Sequence, residues 1–366
     1  MEWNMEISQK TRWNYIDILK GIGIILVVLG HTDRISDDLL KWIFSFHMVL
    51  FFVVAGYLIG KQYQGEKVKE IALKRTAQKI LLPYFWFSLF AIVWDAAGMI
   101  IGRPGYSIDS MIEKGRDFIT GYGISVLWFL PAYFVAVVLY RALRSKLNYG
   151  LCLMSCILLS ATYLLIEWVP AYALNAERVL EPGVVALLFS FAIWRGVFCA
   201  LFVALGEGIC LFTEHIWKRK VLCVITALGA LGIGSLAGMY NEMASLRYLQ
   251  IGNAFLFVVS GVGITTGLLM LCKWYGECSP LEFAGRNSLL ILVTHLDFRI
   301  MNAALKCSDK VFEITDHNFA RNLTLAVVLI VLEIIVIFIL NRFFYFLFGK
   351  KETVKDKIFA PSREEE

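Results

Sequence analysis

Charge is scarce in this chain: 18% of its 366 residues are charged, against 58% that are hydrophobic. A disordered chain needs the opposite balance, and a water-soluble domain holds roughly half its residues apolar, so both classes are excluded. Proline numbers only 7, and 28 glycines without a three-residue period exclude a collagen-like chain. Net charge is also small, +5 from 35 basic and 30 acidic residues, and no nucleic-acid partner is expected. The eight cysteines (Cys152, Cys156, Cys199, Cys210, Cys223, Cys272, Cys278 and Cys307) lie mostly in apolar stretches. None falls into a CxxC or Cys/His ligand spacing, so they read as small core hydrophobes. No internal repeat relates the two halves. A cleavable signal peptide is missing as well: the first apolar run carries Asp17 and Lys20 and ends in Leu-Gly-His, so it is expected to stay as the first membrane helix.

What is present is a succession of membrane-length apolar segments. A helix rising 1.5 Å per residue needs about 20 residues to cross about 30 Å of hydrocarbon. About ten candidates fit, at 14–31, 39–60, 80–101, 124–143, 149–169, 192–213, 221–239, 249–272, 285–304 and 322–348. The apolar piece 184–194 runs into the sixth and either lengthens it or lies re-entrant. Placing the N-terminus in the cytoplasm puts 22 of the 35 basic residues inside and 10 outside, leaving Lys20, Arg195 and Arg299 within spans. That bias follows the positive-inside rule. The expected fold class is therefore all-α: a polytopic membrane helix bundle of about ten transmembrane helices with both termini cytoplasmic. One integral membrane domain is expected over 1–349, followed by a charged cytoplasmic tail over 350–366, and the expected location is the cell membrane.

Polar groups inside such segments are costly, at least about 2.5–3.5 kcal/mol for an ionised side chain, so each needs a partner or a task. Asp17 and Lys20 stand one turn apart on the first helix and can neutralise each other. His31 follows eleven residues after Lys20, about 16 Å further along and near the same face. Three of the five histidines, His31, His47 and His295, fall within spans, while His215 and His317 fall in loops. One membrane histidine alone is as often a packing residue. Three together point to a polar interior where a proton can be taken and returned near neutral pH. No two share a helix at ligand spacing, so no metal is expected. The basic run Lys74, Arg75 and Lys79 before Pro83 and Tyr84 reads either as a snorkelling, topology-setting segment or as a clamp for phosphate. Arg195 with Glu207, and Asp297 with Arg299, read more readily as structural ion pairs than as part of an acceptor path.

Taken in order, these segments resemble the acyltransferase-3 family of integral membrane acyltransferases. The resemblance is carried by Tyr15-Ile-Asp17-Ile-Leu-Lys20 through Gly30-His31, and by Phe44-Ser-Phe-His47 through Gly56-Tyr57. It continues in the basic run ending Leu82-Pro83-Tyr84, in Leu127-Trp128-Phe129-Leu130-Pro131, and in Gly285-Arg-Asn287-Ser288 through His295. Departures from the family pattern are Lys20 where arginine is frequent, Thr76 at the first place of an Arg-x-x-Arg pair completed here by Lys79, Val49 where proline is common and Ala55 where serine is common.

The resemblance implies transfer of an acyl group, acetyl by default, from cytoplasmic acyl-CoA to a hydroxyl of an extracytoplasmic or lipid-linked glycan. It implies His31 as general base or acyl-carrying nucleophile, Lys20 and Asp17 as its catalytic companions, and Lys20, Arg75 and Lys79 as the cations that receive CoA phosphates. It further implies His47, Trp128, Asn287 and His295 as substrate-binding or supporting residues, with Asn287 or backbone amides as donors to the oxyanion. Two other classes share the same layout: a transporter or flippase of a lipid-linked or polysaccharide substrate, and a non-catalytic membrane assembly subunit.

Overall fold

The structure, a computed structural model, describes residues 13–32, 35–63, 73–162, 181–296 and 319–348. Among them every regular element is helical, apart from one isolated antiparallel bridge between Ser245 and Gln250. Six helices or joined helix pairs are long and apolar enough to cross a membrane: Asp37–Gln62, Leu73–Ile100, Ile108–Arg144, Pro182–Ile216, Lys220–Tyr240 and Ala254–Tyr275. The chain is thus a multi-pass helical membrane protein.

The first apolar segment forms α1 (Asn14–Gly30). The second is two helices, α2 (Asp37–Phe44), capped by the Ser36 side chain, and α3 (His47–Tyr63), with a break at Ser45 and Phe46. The third is α4 (Leu73–Ile100), which accommodates Pro83 within it. An amphipathic helix, α5 (Ile108–Thr120), and a 3-10 turn (Ser125–Trp128) lead into α6 (Phe129–Arg144). The described part of the fifth segment is α7 (Tyr149–Ala161). The piece 184–194 proves to be continuous helix: α8 (Pro182–Ile216) runs for 35 residues, starting with proline in its first turn, where a missing N–H costs nothing. Next come α9 (Lys220–Tyr240) and α10 (Ala254–Tyr275). The ninth segment is not one helix. It divides into α11 (Ser279–Arg286) and α12 (Ser288–Thr294) at Asn287, whose φ of −107° and ψ of 13° leave the helical region. Finally α13 (Phe319–Phe343) covers most of the tenth segment. Asp297, Arg299, His317, Cys307 and the tail 350–366 lie outside the described residues. His215 stands in the last turn of α8 rather than in a loop.

Lipid tails are as apolar as leucine, so helices in a bilayer associate through close packing and polar ties. The α3–α8 crossing is the tightest kind. A Cβ on Gly56 would strike the Val203 carbonyl, and one on Gly206 would strike the Val53 carbonyl, so each helix can lie backbone to backbone only because both positions are glycine. Gly21 and Gly285 serve the α1–α11 crossing in the same reciprocal way, against the carbonyls of Leu281 and Asp17. Polar ties include Trp42 Nε1 donating to Ser235 Oγ at 3.0 Å and the Ser45–Ser260 hydroxyl pair at 2.7 Å. At one end of α1 and α3, Tyr15 and Tyr57 meet hydroxyl to hydroxyl at 3.3 Å; at the other end lie His31 and His47.

Candidate active site

The break in the second segment, the end of α1, the 3-10 turn before α6 and the loop between α9 and α10 converge on one cavity of about 240 Å³. Irregular backbone in a membrane protein is tolerated where protein covers it or where it lines a cavity, and this is such a place. His31, Phe44, His47 and Met48 form one side. Ser125, Val126 and Trp128 form a second, and Ser245 to Tyr248 a third. Ser125 has φ +49°, a left-handed conformation rare for a residue with a side chain.

The imidazoles are set by their own helices. His31 Nδ1 lies 2.7 Å from the Val27 carbonyl and His47 Nδ1 lies 2.7 Å from that of Ile43. A carbonyl only accepts, so each Nδ1 carries the proton and each Nε2 keeps its lone pair. His295 is turned the same way, with Nδ1 2.9 Å from the Ile291 carbonyl and 3.0 Å from that of Leu292. Its ring abuts His31 edge-on with centroids 5.1 Å apart. His295 Nε2 is buried and has no partner among the described residues.

Buried Arg195, with 0% of its surface exposed, fastens two walls of the cavity together. Its guanidinium donates to the carbonyls of Arg247 at 2.8 Å and Tyr122 at 2.9 Å, with longer contacts to Gly121 and Trp128 at 3.3 and 3.5 Å. The same group stacks over the Trp128 ring, 5.0 Å from its centroid. Its charge is therefore met by carbonyls and aromatic faces rather than by Glu207. Glu207 instead takes Arg144 at 2.9 Å and the Tyr140 hydroxyl. Both residues act as structure, each with partners other than the one the sequence suggested.

The third wall is pinned by Asn241, whose Nδ2 donates to the Ile251 carbonyl and whose Oδ1 accepts from the Asn253 amide, both at 2.8 Å. That clasp, the Ser245–Gln250 bridge and the left-handed Leu249 (φ +54°) fix the loop that brings Arg247 to the cavity.

Of the residues singled out in the sequence, His31, His47 and Trp128 line the cavity and His295 backs it. Lys20 and Asp17 form an ion pair of 2.6 Å at the far end of α1, with Asp17 buried. Arg75 and Lys79 stand exposed in the first turns of α4. Asn287 is not among the lining residues: its Nδ2 donates to the Phe283 carbonyl at 2.9 Å and helps close α11. Three further residues escaped sequence reading. Arg247 and Ser125 belong to short irregular stretches with no motif. Glu333 lies mid-way along α13, fully buried, and its signal was plain: a lone carboxylate in an apolar run.

Apolar helices that enclose a cavity lined by two imidazoles and an arginine define a multi-pass membrane protein with a sheltered polar site. The chain belongs to the acyltransferase-3 family, whose model, described as "Acyltransferase domain", matches residues 13–342, and it is accordingly an acyltransferase. It is similar to Nodulation protein NolL of Mesorhizobium japonicum, 23% identical over 345 residues that cover 87% of this chain and 85% of that protein. It is also similar to Nodulation protein NolL of Sinorhizobium fredii, 27% identical over 294 residues, or 70% of this chain and 76% of that protein. No solved structure matches.

Proposed function

We propose that the protein is an O-acyltransferase of the cell membrane that moves an acyl group, acetyl by default, from cytoplasmic acyl-CoA to a hydroxyl of an extracytoplasmic or lipid-linked glycan. The observation that carries this reading is His31, a tautomer-fixed imidazole in the wall of the cavity of about 240 Å³, with its Nδ1 engaged by the Val27 carbonyl and its Nε2 left to accept. A neutral imidazole in a water-poor site is suited to take the proton of an attacking hydroxyl. The hydroxyl oxygen then bonds to the thioester carbonyl carbon, the C–S bond breaks, and the sulfur leaves with its electron pair and recovers the proton from the imidazolium.

The donor enters from the other end in this reading. CoA phosphates meet Lys20, Arg75 and Lys79 on the cytoplasmic side, where the basic loops and both termini lie. Lys20 and His31 are separated by about three turns of α1, about 16 Å, which is the distance the thioester must reach inward from its phosphates. The Asp17 carboxylate keeps Lys20 neutralised while no phosphate is bound. Trp128 and His47 offer a flat ring and a second acceptor nitrogen to a sugar.

The test is purified protein with radiolabelled acetyl-CoA and an extract of lipid-linked and envelope glycans. Transfer of label to an alkali-labile ester, lost in His31→Ala protein that still folds, is expected. Full transfer by that variant would overturn the role of His31. Movement of glycan across liposomes without any acyl donor, and no transfer with one, would overturn the reading as a whole.

A further inference from the structure

Arg247 has the properties of a group waiting for negative charge. It lines the cavity with His31, close enough for its charge to act on the imidazole, and no carboxylate is among the lining residues. Its Nε is buried without a hydrogen-bond partner among the described residues. Its guanidinium carbon lies 5.2 Å from the centre of the Tyr248 ring, which offers attraction but no counter-charge. Asp117 lies within electrostatic reach of Arg247, but its Oδ1 accepts two bonds from Arg116, at 2.7 and 3.0 Å, and Asp117 is not among the lining residues.

The loop holds the Arg247 backbone firmly. The Arg247 carbonyl is gripped by the buried Arg195 guanidinium, the Asn241 clasp closes the loop behind it, and Leu249 is bent into a left-handed conformation two residues on. A fixed donor facing a sheltered cavity costs no reorganisation when charge appears, which is the condition for strong transition-state stabilisation. Asn287, which is not among the lining residues, does not meet that condition.

We infer that Arg247 is the oxyanion-stabilising residue of the acyl transfer, facing the acyl carbonyl oxygen while His31 faces the attacking hydroxyl. The inference rests on the acyltransferase reading with His31 as base. As the hydroxyl oxygen bonds to the carbonyl carbon, the carbonyl π pair moves onto oxygen, and the hydroxyl proton passes to His31 Nε2. The resulting oxyanion is paired with the guanidinium. On collapse the C=O bond re-forms, the C–S bond breaks with its pair on sulfur, and the proton moves from His31 to that sulfur.

Two uncharged acceptors separate this role from recognition of an anionic acceptor. Full-length protein in detergent is given acetyl-CoA and either water or glycerol, for wild type, Arg247→Gln and Arg247→Lys, with thermal unfolding followed in parallel. An oxyanion role predicts that kcat for hydrolysis and for transfer to glycerol both fall about 10²–10³-fold in Arg247→Gln, with KM for glycerol changing little. Arg247→Lys recovers part of the rate, since it restores charge without the planar fork. If both neutral acceptors react at wild-type rates while the glycan acceptor alone shows a raised KM, Arg247 binds an acceptor anion and the inference is overturned. Unchanged kinetics with every acceptor overturn it too. Wild-type protein that consumes no acetyl-CoA under any condition removes the acyltransferase reading from CoA, and this inference with it.

Discussion

His31 and His295 meet edge to face, their ring centroids 5.1 Å apart and their planes at 63°. One ring lines the cavity; the other, behind it, is fully buried, with an Nε2 that has no partner among the described residues. Substitution should separate their roles. His31→Ala is expected to lower acyl transfer by about 10²–10⁴-fold, the usual contribution of a general base, with little change in thermal unfolding. His295→Phe keeps a ring but removes both an Nε2 with no partner among the described residues and the Nδ1 donor to the Ile291 and Leu292 carbonyls, so thermal stability should change by less than about 1 kcal/mol while transfer falls less than about tenfold. Transfer assays with acetyl-CoA and unfolding curves in detergent check both, and a loss in His295→Phe as deep as in His31→Ala would show that the proton travels through both rings.

Arg195 should matter as much to stability as to rate. Arg195→Met keeps much of the bulk but leaves the carbonyls of Arg247 and Tyr122 without their donor in a dry interior. A loss of about 3 kcal/mol or more is expected. Arg195→Lys should restore only part of it, because an ammonium cannot bond several carbonyls and stack on Trp128 at once. Thermal unfolding reads the first effect, and limited proteolysis at the 241–253 loop reads the release of the cavity wall.

Glycine positions divide sharply by what lies beyond the missing Cβ. Gly206→Ala pushes a methyl into the Val53 carbonyl of α3 and should cost about 3 kcal/mol, with loss of folded protein from membranes. Gly115→Ala, in α5, meets nothing within 4 Å and should instead stabilise by up to about 1 kcal/mol through helix propensity. Size-exclusion profiles and melting temperatures of the two variants provide the comparison.

Thr294 Oγ1 lies 2.7 Å from the Leu290 carbonyl and 2.6 Å from Glu333 Oε2. One hydroxyl proton cannot serve both oxygens; a proton on the buried Glu333 carboxyl satisfies both contacts. Glu333→Gln, which keeps a donor at the same place, is therefore expected to change stability by less than about 1 kcal/mol. Glu333→Ala leaves a cavity and a stranded hydroxyl between α12 and α13 and should cost about 2 kcal/mol or more. Unfolding of the two variants side by side decides whether this carboxyl is held neutral.

Hydropathy and charge made the membrane helices legible, and the costliness of buried imidazole made His31, His47 and His295 legible before any coordinate. Trp128 followed from its motif. Backbone direction was not legible. The breaks at Ser45–Phe46 and Asn287 lie inside segments that hydropathy counts as single spans, and an averaging window does not register a local interruption of the helix within them. The same blindness hid Arg247 and Ser125, which gain meaning only when two irregular stretches, 122 residues apart at these two positions, are drawn together by Arg195. Pairing of buried charges was equally obscure: Arg195 and Glu207 share one helix, yet each finds its partners elsewhere.

The length of α8 bears on the bilayer itself. Thirty-five residues make a rod of about 52 Å, and even at a tilt of about 40° it rises about 40 Å, beyond the roughly 30 Å of hydrocarbon. Its ends must therefore enter the headgroup layers, or thicken the lipid around them. Since Arg195 on this rod grips the cavity walls, lipid thickness becomes a mechanical input to the site, and short-chain and long-chain bilayers will load the same cavity differently.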